Sequence, residues 1–158
     1  MNIDSSTRTA SPTPALAATA PSRFWTNWMV VWTEAVIAFG LALMVVRLVA
    51  QDLFWWVVYG STDTPSGFTP EALDYQRWVT ALTGALTAGW MVLVWFVVRH
   101  ALARGQRWAW TAVVASIGTW FVLDSAASIA FGFGENAILN VALVASVGPA
   151  LLGTRPRA

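Results

Sequence analysis

The sequence predicts an all-α integral membrane protein, a four-helix bundle with both termini in the cytoplasm. Of its 158 residues, 57% are hydrophobic and only 11% are charged, whereas soluble domains carry about 25% charged residues. The eleven tryptophans and the mean hydropathy of +0.59 indicate that most of the chain is surrounded by lipid. Four apolar stretches are long enough, at 1.5 Å per residue, to cross a hydrocarbon layer about 30 Å thick.

The N-terminal segment differs in composition from everything after it. Residues 1–23 are rich in Ser, Thr, Ala and Pro, and they show no apolar period. We expect a disordered cytoplasmic tail, because Pro12 and Pro14 would interrupt a helix. The first apolar stretch, 24–50, exceeds the 7–15 residues of a signal-peptide core, so we expect an uncleaved span. The alternative is a leader cleaved after Ala50.

Three further apolar stretches follow, at about 78–98, 110–131 and 137–153, before a short cytoplasmic tail at 154–158. Backbone polar groups in lipid must be satisfied within their own segment, so each stretch is predicted to be helical. Gly148-Pro149 is expected to kink or end the fourth helix.

The connections between the spans are unequal. An outer loop is predicted over 51–77, and within it the aromatic residues 52–59 either extend the first helix or lie in the membrane interface. Thr69-Pro70-Glu71 is typical of a helix start, so the second helix should begin outside the membrane near Pro70. The tight connection 132–135 predicts that the last two helices form an antiparallel hairpin.

Arginine sets the predicted orientation, because the chain contains no lysine. Most arginines fall before the first span, between the second and third, or after the fourth, and thus on one side of the membrane. The positive-inside rule then places both termini in the cytoplasm. The arginines on this side are Arg8, Arg23, Arg99, Arg104, Arg107, Arg155 and Arg157.

Tryptophans mark both predicted membrane boundaries, as aromatic belts do. The inner boundary is predicted at Trp25, Trp28, Trp108 and Trp110, and the outer one at Trp55, Trp56 and Trp78. The four deeper tryptophans are expected to pack between helices or to line a cavity; they are Trp32, Trp90, Trp95 and Trp120.

Three ionisable residues fall within the predicted spans: Glu34, Arg47 and Asp124. Each costs about 2.5–3.5 kcal/mol on insertion scales, so each calls for a partner or a function. Asp124 lies sixteen positions after Trp108, or ~24 Å beyond the inner boundary. Arg47 reaches a similar depth from the first helix, so a pairing between Arg47 and Asp124 is expected.

Further polar residues share the depth of Asp124. Ser128 lies one turn after Asp124, and Asn136 and Asn140 form an equivalent pair across the tight connection. Gln51 and Thr83 are additional candidates. This cluster has two possible roles: hydrogen bonds that hold the helices together, or a ligand or ion site.

Glu34 has no second charge at its depth, ~13 Å inside Trp25. Its expected hydrogen-bond partners are Thr33, Ser116, Thr119 or a tryptophan indole. The alternatives are a proton-carrying role and contact with another subunit or a bound protein. A line of small residues on the second span also predicts a close helix contact, either internal or between copies; it consists of Ala81, Ala85 and Gly89.

Several chemistries are disfavoured by the sequence. The absence of cysteine excludes disulfides and thiolate metal sites, and a single histidine, His100, cannot supply the ligand pair of a membrane haem. We expect no cofactor, no metal and no nucleic-acid partner. The expected partners are the lipid bilayer and a membrane protein or a second copy.

The leading functional hypothesis is a small non-enzymatic membrane protein with an accessory or scaffold role. The alternative is a proton-coupled or small-molecule carrier that uses Glu34 and the Asp124 cluster. A membrane enzyme acting on lipid is less favoured, because it would need more acids or histidines in an accessible cleft.

Overall fold

The described structure is all-helical and contains four long helices. In a computed structural model, residues 21–49, 55–56 and 67–156 are described. The predicted all-α architecture with four long helices is confirmed, and each of the four is long and apolar enough to cross a membrane. They are α1 (Arg23–Val49), α2 (Pro70–His100), α3 (Arg107–Ala130) and α4 (Gly134–Gly153). The predicted N-terminal tail lies outside the described residues up to residue 20.

The predicted start of α2 is confirmed. The Thr69 side chain accepts a hydrogen bond from the Ala72 backbone N–H at 3.3 Å, and Pro70 occupies the first turn. The first backbone N–H groups of a helix have no helical carbonyl as a partner. A capping hydroxyl accepts a hydrogen bond from one of them, and proline at the first position lacks an N–H that would otherwise stay unsatisfied. The part of the outer loop from 70 to 77 is therefore helical. Of the segment 52–59, only Trp55 and Trp56 are described, and both are helical.

Two glycines allow the tight connections between helices. After α2, a short 3-10 helix (Leu102–Arg104) ends at Gly105, where φ is +74°. Between α3 and α4, Gly132 has φ +83°, and the Phe133 N–H bonds to the Ser128 carbonyl at 2.7 Å. Both φ values fall in the left-handed region that glycine adopts without steric cost. The predicted α3–α4 hairpin is confirmed.

Of the two expectations for Gly148-Pro149, a kink or the end of the fourth helix, the end is wrong and the kink stays a prediction. Helix α4 continues through Pro149 to Gly153, and the Thr154 N–H then bonds to the Ala150 carbonyl at 2.9 Å. Proline lacks only its own N–H, so a single hydrogen bond of the helix is lost at this point.

Helices α1 and α2 approach each other closely at a pair of glycines. A Cβ atom added to Gly40 would lie 2.7 Å from the Gly84 carbonyl oxygen, and one added to Gly84 would collide with the Gly40 carbonyl. The close internal contact therefore runs through Gly84 and Ala88. It does not run through the predicted line of small residues, because Ala85 and Gly89 are exposed and Gly89 has open space around it.

The bundle has different interiors at its two ends. Helix α1 packs along α2 and α4, α3 packs on α4, and α2 touches α3 only slightly. The buried apolar residues gather toward the end that carries the arginines, whereas Ser128 and Asn140 are buried toward the other end. The apolar core consists of Met29, Trp32, Met91, Val94, Val98, Ala101, Leu102, Ala109, Val113, Ile117, Val147 and Ala150.

Replacing Gly84 with alanine tests the close contact between α1 and α2. The added methyl group would meet the Gly40 carbonyl, so we expect a loss of ~1–3 kcal/mol in the free energy of unfolding. Gly89→Ala is the matched control on the same helix, where nothing lies within 4 Å of the new atom. Unfolding is followed by circular dichroism in detergent micelles. Equal stability of the two variants would contradict the contact.

Candidate functional site

Asp124 is the centre of a hydrogen-bond network between α3 and α4. Its Oδ2 atom accepts hydrogen bonds from the side-chain amides of Asn136, at 3.0 Å, and Asn140, at 2.5 Å. The Asn136 amide also donates to Ser128 Oγ at 2.8 Å, and the Ser128 hydroxyl donates to the Asp124 carbonyl at 2.7 Å. We call these residues, together with Ser125, the Asp124 network.

The α3–α4 hairpin brings this network together. Asp124 and Ser128 lie one turn apart on α3, and Asn136 and Asn140 lie one turn apart on α4, so two matched faces meet next to the turn. Asn140 is only 2% exposed and Ser128 only 8% exposed, whereas Asp124 is half-buried. The hairpin thus brings together Asp124, Ser128, Asn136 and Asn140, which the sequence pattern places at one depth.

Thr83, a further predicted member of the cluster, is not part of it. Thr83 is exposed, and its hydroxyl bonds to the Val79 carbonyl of its own helix at 2.9 Å. The expected partner Arg47 and the candidate Gln51 lie outside the residues whose side chains are described. Ser125 is a member that the sequence reading missed, since its Oγ accepts from the Asn140 amide at 3.2 Å. Its position next to Asp124 in the sequence is the feature that would have indicated its place in the network.

The chemistry of the Asp124 network is that of a shared acceptor. Two amide donors converge on one carboxylate oxygen, and a buried amide would otherwise remain unsatisfied in a medium without water. Among the described residues, no group of three or more His, Asp or Glu side chains is arranged to hold a metal ion. The arrangement therefore joins two helices by hydrogen bonds.

Glu34 has a very different environment, because its side chain is exposed on the outside of α1. The Trp95 indole N–H donates to its Oε1 at 3.0 Å, so the partner is one of the tryptophans that the sequence allowed. Thr33 instead bonds the carbonyls of Met29 and Val30. Trp95 also lies beneath the Arg99 guanidinium, whose Cζ is 5.2 Å from the ring centroid.

Ser116 was another expected partner of Glu34, and it bonds elsewhere. Its Oγ accepts the Trp90 indole N–H at 2.6 Å, which links α2 to α3. No hydrogen bond to Thr119 is found within the described part of the chain, and the side chain of that residue is exposed. The second oxygen of the Glu34 carboxyl has no hydrogen bond to any described residue.

Tryptophan indoles also connect α1 and α3 to α4. Trp32 donates to Ser146 Oγ at 2.9 Å, and Trp28 donates to the Ser146 carbonyl at 3.0 Å. Trp110 donates to the Leu151 carbonyl at 2.8 Å. Indoles are donors only, so each of these rings needs an acceptor when it leaves water.

The tryptophans predicted to mark the membrane boundaries differ in their exposure and in their hydrogen-bond partners. The Trp25 ring fills the space that a side chain at Gly153 would need, and Trp108 is exposed and donates to Gln106. On the other side Trp56 and Trp78 are exposed, whereas Trp55 is only 1% exposed. Their role as boundary anchors stays a prediction.

Five of the described arginines lie at one end of the bundle, whereas Arg77 lies at the other end beside Asp74. Antiparallel packing brings the start of α1 and α3 to the same end as the end of α2 and α4, so five arginines gather there. The opposite end carries the Asp74–Arg77 ion pair, at 2.9 Å. The five are Arg23, Arg99, Arg104, Arg107 and Arg155, while Arg8 and Arg157 lie outside the described residues.

Comparison of the chain with protein-family models, with curated proteins and with solved structures finds no match.

Asp124→Leu tests whether the network holds α3 and α4 together. The substitution removes the acceptor of two amides, so we expect a loss of ~1–3 kcal/mol in the free energy of unfolding. Asp124→Asn keeps one acceptor oxygen, and its loss should stay below about 1 kcal/mol. Unfolding by sodium dodecyl sulfate, followed by tryptophan fluorescence, measures both.

Thr83→Val is the control for this pair, because it removes an exposed hydroxyl that bonds only its own helix. We expect it to change the free energy of unfolding by less than about 0.5 kcal/mol. If Asp124→Leu is as stable as Thr83→Val, the network does not stabilise the bundle.

Proposed function

We propose that this chain is a small non-enzymatic integral membrane protein with an accessory or scaffold role. The observation that supports this most strongly is the use of polar side chains within the apolar helices. Asp124, Ser116 and Ser146 all accept hydrogen bonds from a neighbouring helix. Polar groups that hydrogen-bond to a neighbouring helix hold the helices in a fixed arrangement, as a structural protein requires.

We further propose that the protein lies in the cell membrane with both termini in the cytoplasm. The arginine-rich end of the bundle is the end at which α1 begins and α4 ends. Arginines concentrate on the cytoplasmic side of membrane proteins, which supports this orientation.

A specific observation favours a second candidate, a proton-coupled or small-molecule carrier. Glu34 is exposed on α1, and its only hydrogen bond within the described residues comes from Trp95. A carboxyl group with a free oxygen inside a membrane is able to take up and release a proton. The Asp124 carboxyl is less suited to this role, because two amides already occupy one of its oxygens.

Purification from native membranes tests the accessory role. The chain carries an affinity tag, is extracted in a mild detergent, and its companions are measured by quantitative mass spectrometry. We expect a second membrane protein at a fixed ratio to this chain, which is retained in Asp124→Asn because that variant keeps most of the network. Recovery of this chain with no companion under several mild detergents would contradict the accessory role.

Purified protein in sealed vesicles with an internal pH indicator tests the carrier alternative. An accessory protein leaves the proton flux at the level of protein-free vesicles, for the natural chain and for Glu34→Gln alike. A flux that the natural chain supports and Glu34→Gln abolishes would favour the carrier and overturn the accessory role.

A further inference from the structure

One face of α1 is exposed, and its Glu34 accepts a hydrogen bond from Trp95 of α2. The residues of this face follow one another at alternating spacings of three and four, so they lie on a single side of the helix. All of them are exposed, while Trp32 and Gly40 on other faces contact α4 and α2. We call this face the outer stripe; it consists of Val31, Glu34, Ala38, Leu41 and Val45.

The outer stripe carries a carboxyl group at its centre. Glu34 lies eleven residues after Arg23, which places it ~16 Å along a helix that crosses a layer about 30 Å thick. Lipid tails offer neither hydrogen-bond donors nor acceptors at that depth. Trp95 satisfies only one carboxyl oxygen. Within the described residues, the hydrogen bonding of Glu34 is therefore incomplete.

We propose that the outer stripe is the interface of a symmetric homodimer, in which the Glu34 carboxyls of two copies hydrogen-bond to each other. All copies inserted in one orientation present Glu34 at the same depth. A two-fold axis along the membrane normal then brings each position of the stripe opposite its own copy. Two carboxyl groups that share a proton contain a donor as well as acceptors, so each completes the other.

The remaining residues of the outer stripe suit a second copy of the same helix. Ala38 is small and exposed next to Glu34, and Ala35 and Ala42 flank the stripe and are exposed as well. Small residues at helical spacing let two membrane helices approach closely. The alternation of three and four is the spacing of a left-handed helix pair. This inference goes beyond the proposed function, because it identifies a partner for an accessory protein or a carrier alike.

Cysteine cross-linking in membranes tests the dimer. The chain contains no cysteine, so a single Ala38→Cys substitution in the full chain cannot form a disulfide within one copy, and two copies that meet at this position form a covalent dimer. Val122→Cys on α3 is the matched control, since it is 61% exposed and, like Ala38, lies fifteen residues after the start of its helix. Mild oxidation should give ~10-fold more covalent dimer at position 38 than at position 122.

Substitutions of Glu34 in the Ala38→Cys background test the carboxyl pair. Glu34→Leu removes the hydrogen bonds and makes the helix more apolar, so the dimer should dissociate ~10-fold more readily in vesicles, measured by energy transfer between labelled copies. Glu34→Gln keeps a donor and an acceptor, and should stay within about 2-fold of the natural residue.

Three results would overturn the proposal. The first is equal cross-linking at positions 38 and 122, which would mean that copies meet by collision only. The second is a cross-linked product whose mass is not that of two copies, as a different membrane partner would give. The third is an unchanged dimer in Glu34→Leu, which would remove the carboxyl pair from the interface. None of these results depends on the co-purification experiment, so the dimer and the accessory role fail separately.

Discussion

The structure depends on the partners that polar side chains find on four helices apolar enough to cross a membrane, since hydrocarbon would offer them no hydrogen bond. A polar side chain on such a helix is stabilised when a neighbouring helix supplies its partner. Helical backbones satisfy themselves, and what remains is a small set of side chains. Asp124 accepts hydrogen bonds from two amides. Ser146 accepts one from the Trp32 indole, and Ser116 accepts one from the Trp90 indole. These bonds join each helix to a neighbour.

The two ends of the bundle are held together by different contacts. Toward the arginine-rich end, the helices bury an apolar core around Met29, Met91 and Val147. Indole N–H groups also donate hydrogen bonds to α4 at this end. Toward the other end the core is replaced by the Asp124 network. Association of helices in lipid gains little from burying apolar surface, so directional hydrogen bonds and close backbone contacts carry more of the specificity. The Gly40–Gly84 contact is the clearest backbone approach.

Much of the fold could be predicted because it depends on length and local chemistry. Apolar stretches fixed the number of helices, Thr69-Pro70 fixed the start of α2, and the glycine connection fixed the α3–α4 hairpin. The Asp124 network was also within reach, because a hairpin of known length determines which residues stand opposite each other.

The contacts between helices that are distant in sequence were harder to predict. These helices are apolar on nearly all sides, so composition does not reveal how each is rotated about its axis. For this reason the sequence does not distinguish the line through Ala85 and Gly89 from the neighbouring one through Gly84, and it leaves several possible partners for Glu34. For the same reason the indole of Trp28 was assigned to the membrane boundary alone, although it bonds Ser146.

The most direct test of the central claim is a double-mutant cycle on Trp32 and Ser146, whose side chains join α1 to α4. Trp32→Phe, Ser146→Ala and the double variant are compared by free energy of unfolding. A hydrogen bond that holds the helices together predicts a coupling of about 0.6 kcal/mol or more, the typical value between membrane helices. Strictly additive single effects would contradict the account.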